Sequence, residues 1–201
     1  MFKTLRAALA ALLLAFLVLP NARASDQDVK SFVAGVAQDA ITAINAHQGD
    51  SVGLKTAFHD LLLAKFDMQA MGRFALGRYA RQLTPDQQAR YNTALVNYVA
   101  MAYSMNLANV RDAHVNVTTI RPQAEGWMVD TVLGDGSSAP LRVSWAVSRD
   151  GSTGSYRITD VTVEGVSMSF TYRQQFTSLI SNGGKNGIEN LIRLLEKKAA
   201  Q

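Results

Sequence analysis

The chain has no cysteine. Thiol nucleophiles, thiolate metal sites and disulfides are excluded, and any core it builds is held by packing alone. Its three histidines, His47, His59 and His114, fall in separate predicted elements, none at metal-ligand spacing from another. They read as surface or capping residues. No G-x-S-x-G segment offers a strained nucleophile turn. Gly183-Gly184-Lys185-Asn186-Gly187 lacks the spacing of a phosphate loop and the Ser or Thr after its lysine. It reads as a helix stop followed by a helix start. There is no basic run and no basic stripe interleaved with aromatics, so nucleic acid is not an expected partner. Beyond residue 24 no apolar stretch approaches the roughly 20 residues needed to span a bilayer.

What is present begins at the N-terminus. Lys3 and Arg6 precede an apolar run of 13 residues from Ala7 to Leu19, Pro20 breaks it, and Ala22-Arg23-Ala24 puts small residues where a signal peptidase looks. This layout predicts a secretory signal peptide over residues 1–24, cleaved after Ala24. No cysteine follows the run, so a lipoprotein is excluded. Cleavage also changes the charge. The full chain is +4, with 20 Lys and Arg against 16 acids; losing Lys3, Arg6 and Arg23 leaves about +1. The basic character is largely an export signal. Residues 25–201 are long enough to bury a substantial core and are read as one domain.

The mature chain divides into helices, then strands, then helices. Ser25 with Asp28 resembles a capping box, and Val29, Phe32, Val33, Val36, Ala40, Ile41 and Ile44 follow at helical spacing, ending at Gly49. Leu54, Ala57, Phe58, Leu61 and Leu62 suggest a second helix. Asp67 caps a short third one that carries Met68, Met71 and Phe74 and stops at Gly77. Thr84-Pro85-Asp86-Gln87 is the clearest local signal. Thr84 accepts a backbone N–H, Pro85 sits where its missing N–H does no harm, and Gln87 reaches back to the cap. A helix to about Leu107 follows, with Tyr91, Leu95, Tyr98, Met101, Ala102 and Met105 near one side.

The period then changes to two. His114–Ile120, Trp127–Leu133, Leu141–Val147 and Tyr156–Val163 read as four strands, with Asp135-Gly136 and Asp150-Gly151 between them as hairpins prefer. Phe170 to Ser181 reads as a helix stopped by Asn182-Gly183-Gly184. A last helix carries Ile188, Leu191, Ile192 and Leu195 and ends in Lys197 and Lys198, as the helix dipole favours. The pattern predicts an α+β domain with helices on one face of an antiparallel sheet.

Asp160 and Glu164 are spaced as a possible acid–base pair. A structural hydrogen bond for Asp160 and solvent for Glu164 is the simpler reading, with Gly165 at a tight bend between strand and helix. Arg73, Arg78 and Arg81 cluster around one turn. They read as solvated surface or as contact with an anionic head group or an acidic partner. The apolar inventory is rich in Met and aromatics, which suit a flexible greasy ligand. The same residues also make an ordinary core, and the sequence leaves both readings open.

Several segments together resemble the MlaC family, also called toluene-tolerance auxiliary proteins. They are Phe66-Asp67, Leu76-Gly77-Arg78-Tyr79, Thr84 to Gln88, Asp160 to Ser167 (DVTVEGVS) and Tyr172-Arg173-Gln174-Gln175-Phe176. The resemblance covers about Asp26 to Lys198. Ala80 departs from it, since many relatives carry Trp after the Arg-Tyr pair, which implies a reshaped pocket nearby. Members of the family are periplasmic carriers that shuttle phospholipid between the two membranes of Gram-negative bacteria.

The resemblance implies a twisted antiparallel sheet of about four strands with helices packed on one face, enclosing an elongated apolar cavity. It implies a monomer without catalytic residues, cofactor or metal. Its partners would be phospholipid, the lipid-binding subunit of an inner-membrane Mla-type transporter, and an outer-membrane lipoprotein–porin complex. The carrier would help maintain outer-membrane lipid asymmetry. A hopanoid or other hydrophobic cargo, and a ligand-free periplasmic adaptor, are the alternatives. A small enzyme resembling ketosteroid isomerases needs a buried Asp or Tyr pair that the sequence does not place. Face assignment plus resemblance points to Val143, Trp145 and Val163 from the sheet as acyl-chain contacts. Phe74, Tyr98, Met101, Met105, Met168, Phe170, Tyr172 and Phe176 join them from the helices and the last bend. Arg73, Arg78 and Arg81 are the head-group or partner contacts.

Overall fold

The computed structural model describes residues 26–107, 113–134 and 139–200. The expected signal peptide, the Ser25 cap and the Asp135-Gly136 turn lie outside these residues. Helix α1 spans Asp26–Ala46, α2 Ser51–Lys65, and α3 Met68–Leu76, which runs on into a 3₁₀ turn at Gly77–Arg81. Helix α4 spans Pro85–Leu107. Strands β1 (His114–Gln123), β2 (Gly126–Gly134), β3 (Leu141–Arg149), β4 (Tyr156–Val163) and β5 (Val166–Ser167) follow. Helix α5 (Met168–Asn182), a 3₁₀ turn at Gly184–Asn186 and α6 (Gly187–Ala199) complete the chain.

Side-chain caps start four of the helices. Asp50 accepts from Gly53 N at 2.9 Å and Asp67 from Ala70 N at 2.8 Å. Thr84 and Gln87 form the expected reciprocal box, each accepting the other's backbone N–H at 3.2 Å. Ser167 accepts from Phe170 N at 3.1 Å, so α5 begins at Met168, two residues before the expected start. The glycine-rich stretch is the helix stop and restart that the sequence suggested. Gly187 is needed there because a Cβ would lie 2.0 Å from the Ile180 carbonyl oxygen.

The strands form one antiparallel meander in the order β1-β2-β3-β4-β5. This is one strand more than the expected four. The bend at Gly165 is a two-residue hairpin rather than a strand-to-helix corner. Glu164 and Gly165 both adopt positive φ, at 47° and 83°, as a type I′ turn requires. Glu164, which carries the steric cost of that conformation, is held by Arg142. Its carboxylate accepts from the Arg142 backbone N at 2.6 Å and from Nη2 at 3.0 Å. Asp150-Gly151 is likewise not a two-residue turn. The strands part at Arg149 and Tyr156, and Asp150 folds the intervening loop by accepting from Ser152 N at 2.8 Å and Thr153 N at 3.1 Å.

Two register shifts shape the apolar face. One falls between Val117 and Thr119 on β1, the other opposite Ala146 and Val147 on β4. Each inserts a residue, so the apolar positions run Val115, Val117, Ile120 and Ile158, Val161, Val163 instead of alternating strictly. Helix α1 lays Val29, Val33, Val36 and Ala37 against Val129, Val143, Trp145, Val147 and Ile158 on that face. A second cluster joins α2, α3, α4, α5 and α6 around Tyr91, Leu76, Phe176, Leu191 and Ile192. Phe66 packs against both clusters, and Asp67 N donates to the Ile158 carbonyl at 2.8 Å, tying the end of α2 to β4. On the outside of the helical layer, Arg90 of α4 makes a two-bond pair with Glu196, 2.9 Å in each bond, and a second with Glu189 at 3.0 Å.

Candidate functional site

Between the sheet and the helices lies a cavity of about 590 Å³. The inner end is walled by Val36, Ala40, Ile41 and Ile44 of α1, Phe58 and Leu62 of α2, Met68 and Ala75 of α3, and Leu95 and Val99 of α4. The sheet supplies Val143, Trp145, Val161 and Val163, and α5 supplies Met168, Ser169 and Tyr172. Asn106, Ala139 and Leu141 border it and are exposed, which marks the mouth. Among the described residues no charged side chain borders the cavity.

The few polar groups near the wall are mostly occupied. Trp145 donates its indole N–H to Thr131 Oγ1 at 2.9 Å, and that hydroxyl donates to the Val143 carbonyl at 3.0 Å. Trp145 is thus locked with its ring against the cavity. Burial pushes the Tyr103 and Tyr172 phenols well above their ordinary range, so both stay neutral. Asp160 makes the structural bonds expected of it, accepting from Ser167 Oγ at 2.5 Å and from Ser169 N at 3.0 Å. Among the described residues no cluster of three or more His, Asp or Glu is placed to hold a metal ion.

Of the residues assigned to an acyl-chain site from sequence, the structure brings five together on the wall: Val143, Trp145, Val163, Met168 and Tyr172. The other six lie elsewhere. Phe176 is buried in the helical cluster, stacked on Tyr172 with centroids 5.4 Å apart and edge-on to Tyr91 at 6.4 Å. Tyr98 packs edge-on to Tyr172 at 6.0 Å, behind the wall. Met101 is half-buried outside the lining, and Met105 is 68% exposed. Phe74 and Phe170 are 44% and 52% exposed, Phe74 lying under the Arg173 guanidinium at 4.8 Å.

The reason is a choice of helix face. From Leu95, α4 turns Val99, Tyr103 and Asn106 toward the cavity. The sequence reading followed the neighbouring stripe through Tyr98, Met101 and Met105. The α1 residues Val36, Ala40 and Ile44 were legible as an apolar stripe, but nothing in the stripe distinguishes a wall from a core. Arg73, Arg78 and Arg81 are exposed and none borders the cavity. Arg78 donates to the Tyr79 hydroxyl at 2.9 Å, which lowers the pKa of that phenol. Ala80 packs against the helical cluster and does not reach the cavity, so its departure from the family pattern leaves the wall unchanged.

An α+β domain with a mostly apolar cavity between helices and sheet, open at one end, defines a container for an apolar guest. The model of the MlaC protein family matches residues 34–197. The chain belongs to that family. Its fold is similar to a solved phospholipid-binding protein from Ralstonia solanacearum, determined in complex with a phospholipid. The TM-score is 0.73 at 23% identity, and the match covers 85% of this chain and 96% of that one.

Proposed function

We propose that the chain is a periplasmic carrier that holds phospholipid acyl chains in this cavity and passes the lipid between complexes of the two membranes. The observation that carries the proposal is the wall itself, which is apolar over most of its area, free of charge among the described residues and open at one end. At about 30 Å³ per small group, 590 Å³ has room for on the order of 20 methylenes. At about 0.8 kcal/mol each, their transfer from water gains roughly 16 kcal/mol. A bilayer offers the same gain per methylene, so lipid in the cavity sits near parity with lipid in a membrane. Near-parity suits a shuttle that must both load and unload.

Residues 1–24 act as the export signal, with cleavage after Ala24, and residues 25–201 form the carrier domain. The docking partners are the lipid-binding subunit of an inner-membrane Mla-type transporter and an outer-membrane lipoprotein–porin complex. Arg73, Arg78 and Arg81, exposed and off the wall, fit contact with an acidic surface of such a partner. The carrier reading assigns no reaction to the chain, and the capped carboxylate of Asp160 supports that.

The test is native mass spectrometry of the protein purified from periplasm without detergent. Added mass that dissociates as intact phospholipid is the expected result. A hopanoid-like mass would keep the carrier and change the cargo. Lipid-free protein that also takes up nothing from vesicles would overturn the proposal and leave a ligand-free adaptor.

A further inference from the structure

Ser169 is 5% exposed and borders the cavity, and its hydroxyl is the one buried side-chain group without a hydrogen-bond partner among the described residues. Its surroundings are otherwise saturated. The Ser169 N–H is taken by Asp160 at 3.0 Å, the other Asp160 oxygen by Ser167 Oγ at 2.5 Å, the Phe170 N–H by Ser167 Oγ at 3.1 Å, and the Ser167 carbonyl by Thr171 Oγ1 at 2.8 Å. These bonds pin the first turn of α5, so the serine backbone has no freedom to carry the hydroxyl to water. A buried hydroxyl left in this state is costly, and native proteins keep such groups where something else completes them.

The level of Ser169 along the cavity indicates what that is. Asp160, which holds its N–H, lies on the half of β4 that ends at Val163, and Val163 pairs with Val143, two residues from exposed Leu141 at the mouth. The adjoining Phe170 is half-exposed. Ser169 therefore sits toward the mouth, outward of the inner wall formed by Ile44, Phe58, Leu62 and Leu95. A two-chain lipid with its tails inward places its acyl ester groups at this level. An ester carbonyl accepts a hydrogen bond, and a serine hydroxyl donates one.

Resting on the carrier reading above, we propose that Ser169 is a specificity-determining residue whose hydroxyl donates to an acyl ester carbonyl of the bound lipid. Ser169 borders the cavity while its hydroxyl oxygen is buried, and rotation about χ1 between staggered positions turns that oxygen toward the guest. The site then prefers ester-linked glycerolipids over ether-linked lipids and over hydrocarbons that offer no acceptor at that depth.

The experiment offers the protein vesicles of equimolar diester and diether phosphatidylglycerol with matched chains, and reads the bound lipids by native mass spectrometry. The expected result is a roughly two- to ten-fold enrichment of diester lipid, the range set by the net worth of one hydrogen bond. Ser169→Ala should bring the bound ratio to that of the vesicles, and should not lower the Tm of the lipid-free protein. Ser169→Thr should restore the preference. Wild-type protein that binds both lipids in the vesicle ratio, or a Ser169→Ala variant that keeps the preference, would overturn the proposal while the carrier reading stands. Wild-type protein that binds neither lipid would sink both.

Discussion

Replacing Val143 with tryptophan should empty the carrier without unfolding it. Val143 is 5% exposed, lies on β3 between Thr131 of β2 and Val163 of β4, and faces the cavity. Tryptophan adds about seven heavy atoms, and the space they need is the space of about seven guest methylenes, or roughly 5–6 kcal/mol of lost burial. That is an upper bound, because a lipid can slide outward and give up fewer contacts. A ten-fold loss of retained lipid needs only about 1.4 kcal/mol, a quarter of the bound. The fold should tolerate the change, since tryptophan is a good strand residue and the new ring enters open space rather than a packed core. Met101→Trp is the control. Met101 is an acyl-chain contact by sequence pattern but lies outside the wall, so its replacement should leave retention unchanged. The assay is organic extraction and mass spectrometry of lipid co-purifying with each variant, alongside its Tm. A Val143→Trp protein that folds and remains fully loaded would refute the assignment of the cavity as the lipid site.

Three further outcomes are expected. Thr84→Ala removes the reciprocal cap of α4 and should cost about 1 kcal/mol by denaturant melting, with no change in lipid content. Thr131→Val keeps the shape but leaves the Trp145 indole N–H unpaired, and should cost about 1–3 kcal/mol and loosen the ring, read by Trp145 fluorescence. The Asp150 carboxyl is held down to about 2, from an ordinary 3.8, first by its Ser152 side-chain bond and then by the loop N–H groups. Because the folded value is depressed, its stabilising contribution is complete above pH 3.8 and is lost as the pH falls through about 2. An NMR titration of the Asp150 carboxyl should therefore show its midpoint near 2, and a midpoint at 3.8 would deny the loop geometry.

The parts legible in the sequence are those decided by local chemistry. The Thr84–Gln87 box and the Asp67 cap appear where their residues announce them, because a cap is made within four residues. The limits of β4, Tyr156–Val163, match for a similar reason, since β-branched residues end where Glu164-Gly165 begins. The two bulges were not legible. Each moves the apolar face by one residue, and only the partner strand reveals it. The face of α4 was misread because Leu95 has apolar neighbours at both i+3, Tyr98, and i+4, Val99, and packing against the sheet selects the second. Met105 and Phe170 illustrate the wider limit. A large apolar side chain at the right period is read as buried, yet Met105 and Phe170 are 68% and 52% exposed.

The meander has a kinetic consequence. Every strand pairs with its sequence neighbour, so the sheet grows by successive hairpins with short loops to close, and α5 and α6 are joined by only a few residues. The enclosed space is different. Its two sides meet only when Phe66 and Asp67 reach Ile158, some ninety residues later, and when α1 folds back over strands that begin at His114. The chain can therefore assemble its parts quickly and still have no interior until its last, most distant contacts close. A guest that binds only that interior stabilises the finished molecule alone, and it slows the return to the open chain more than it hastens folding.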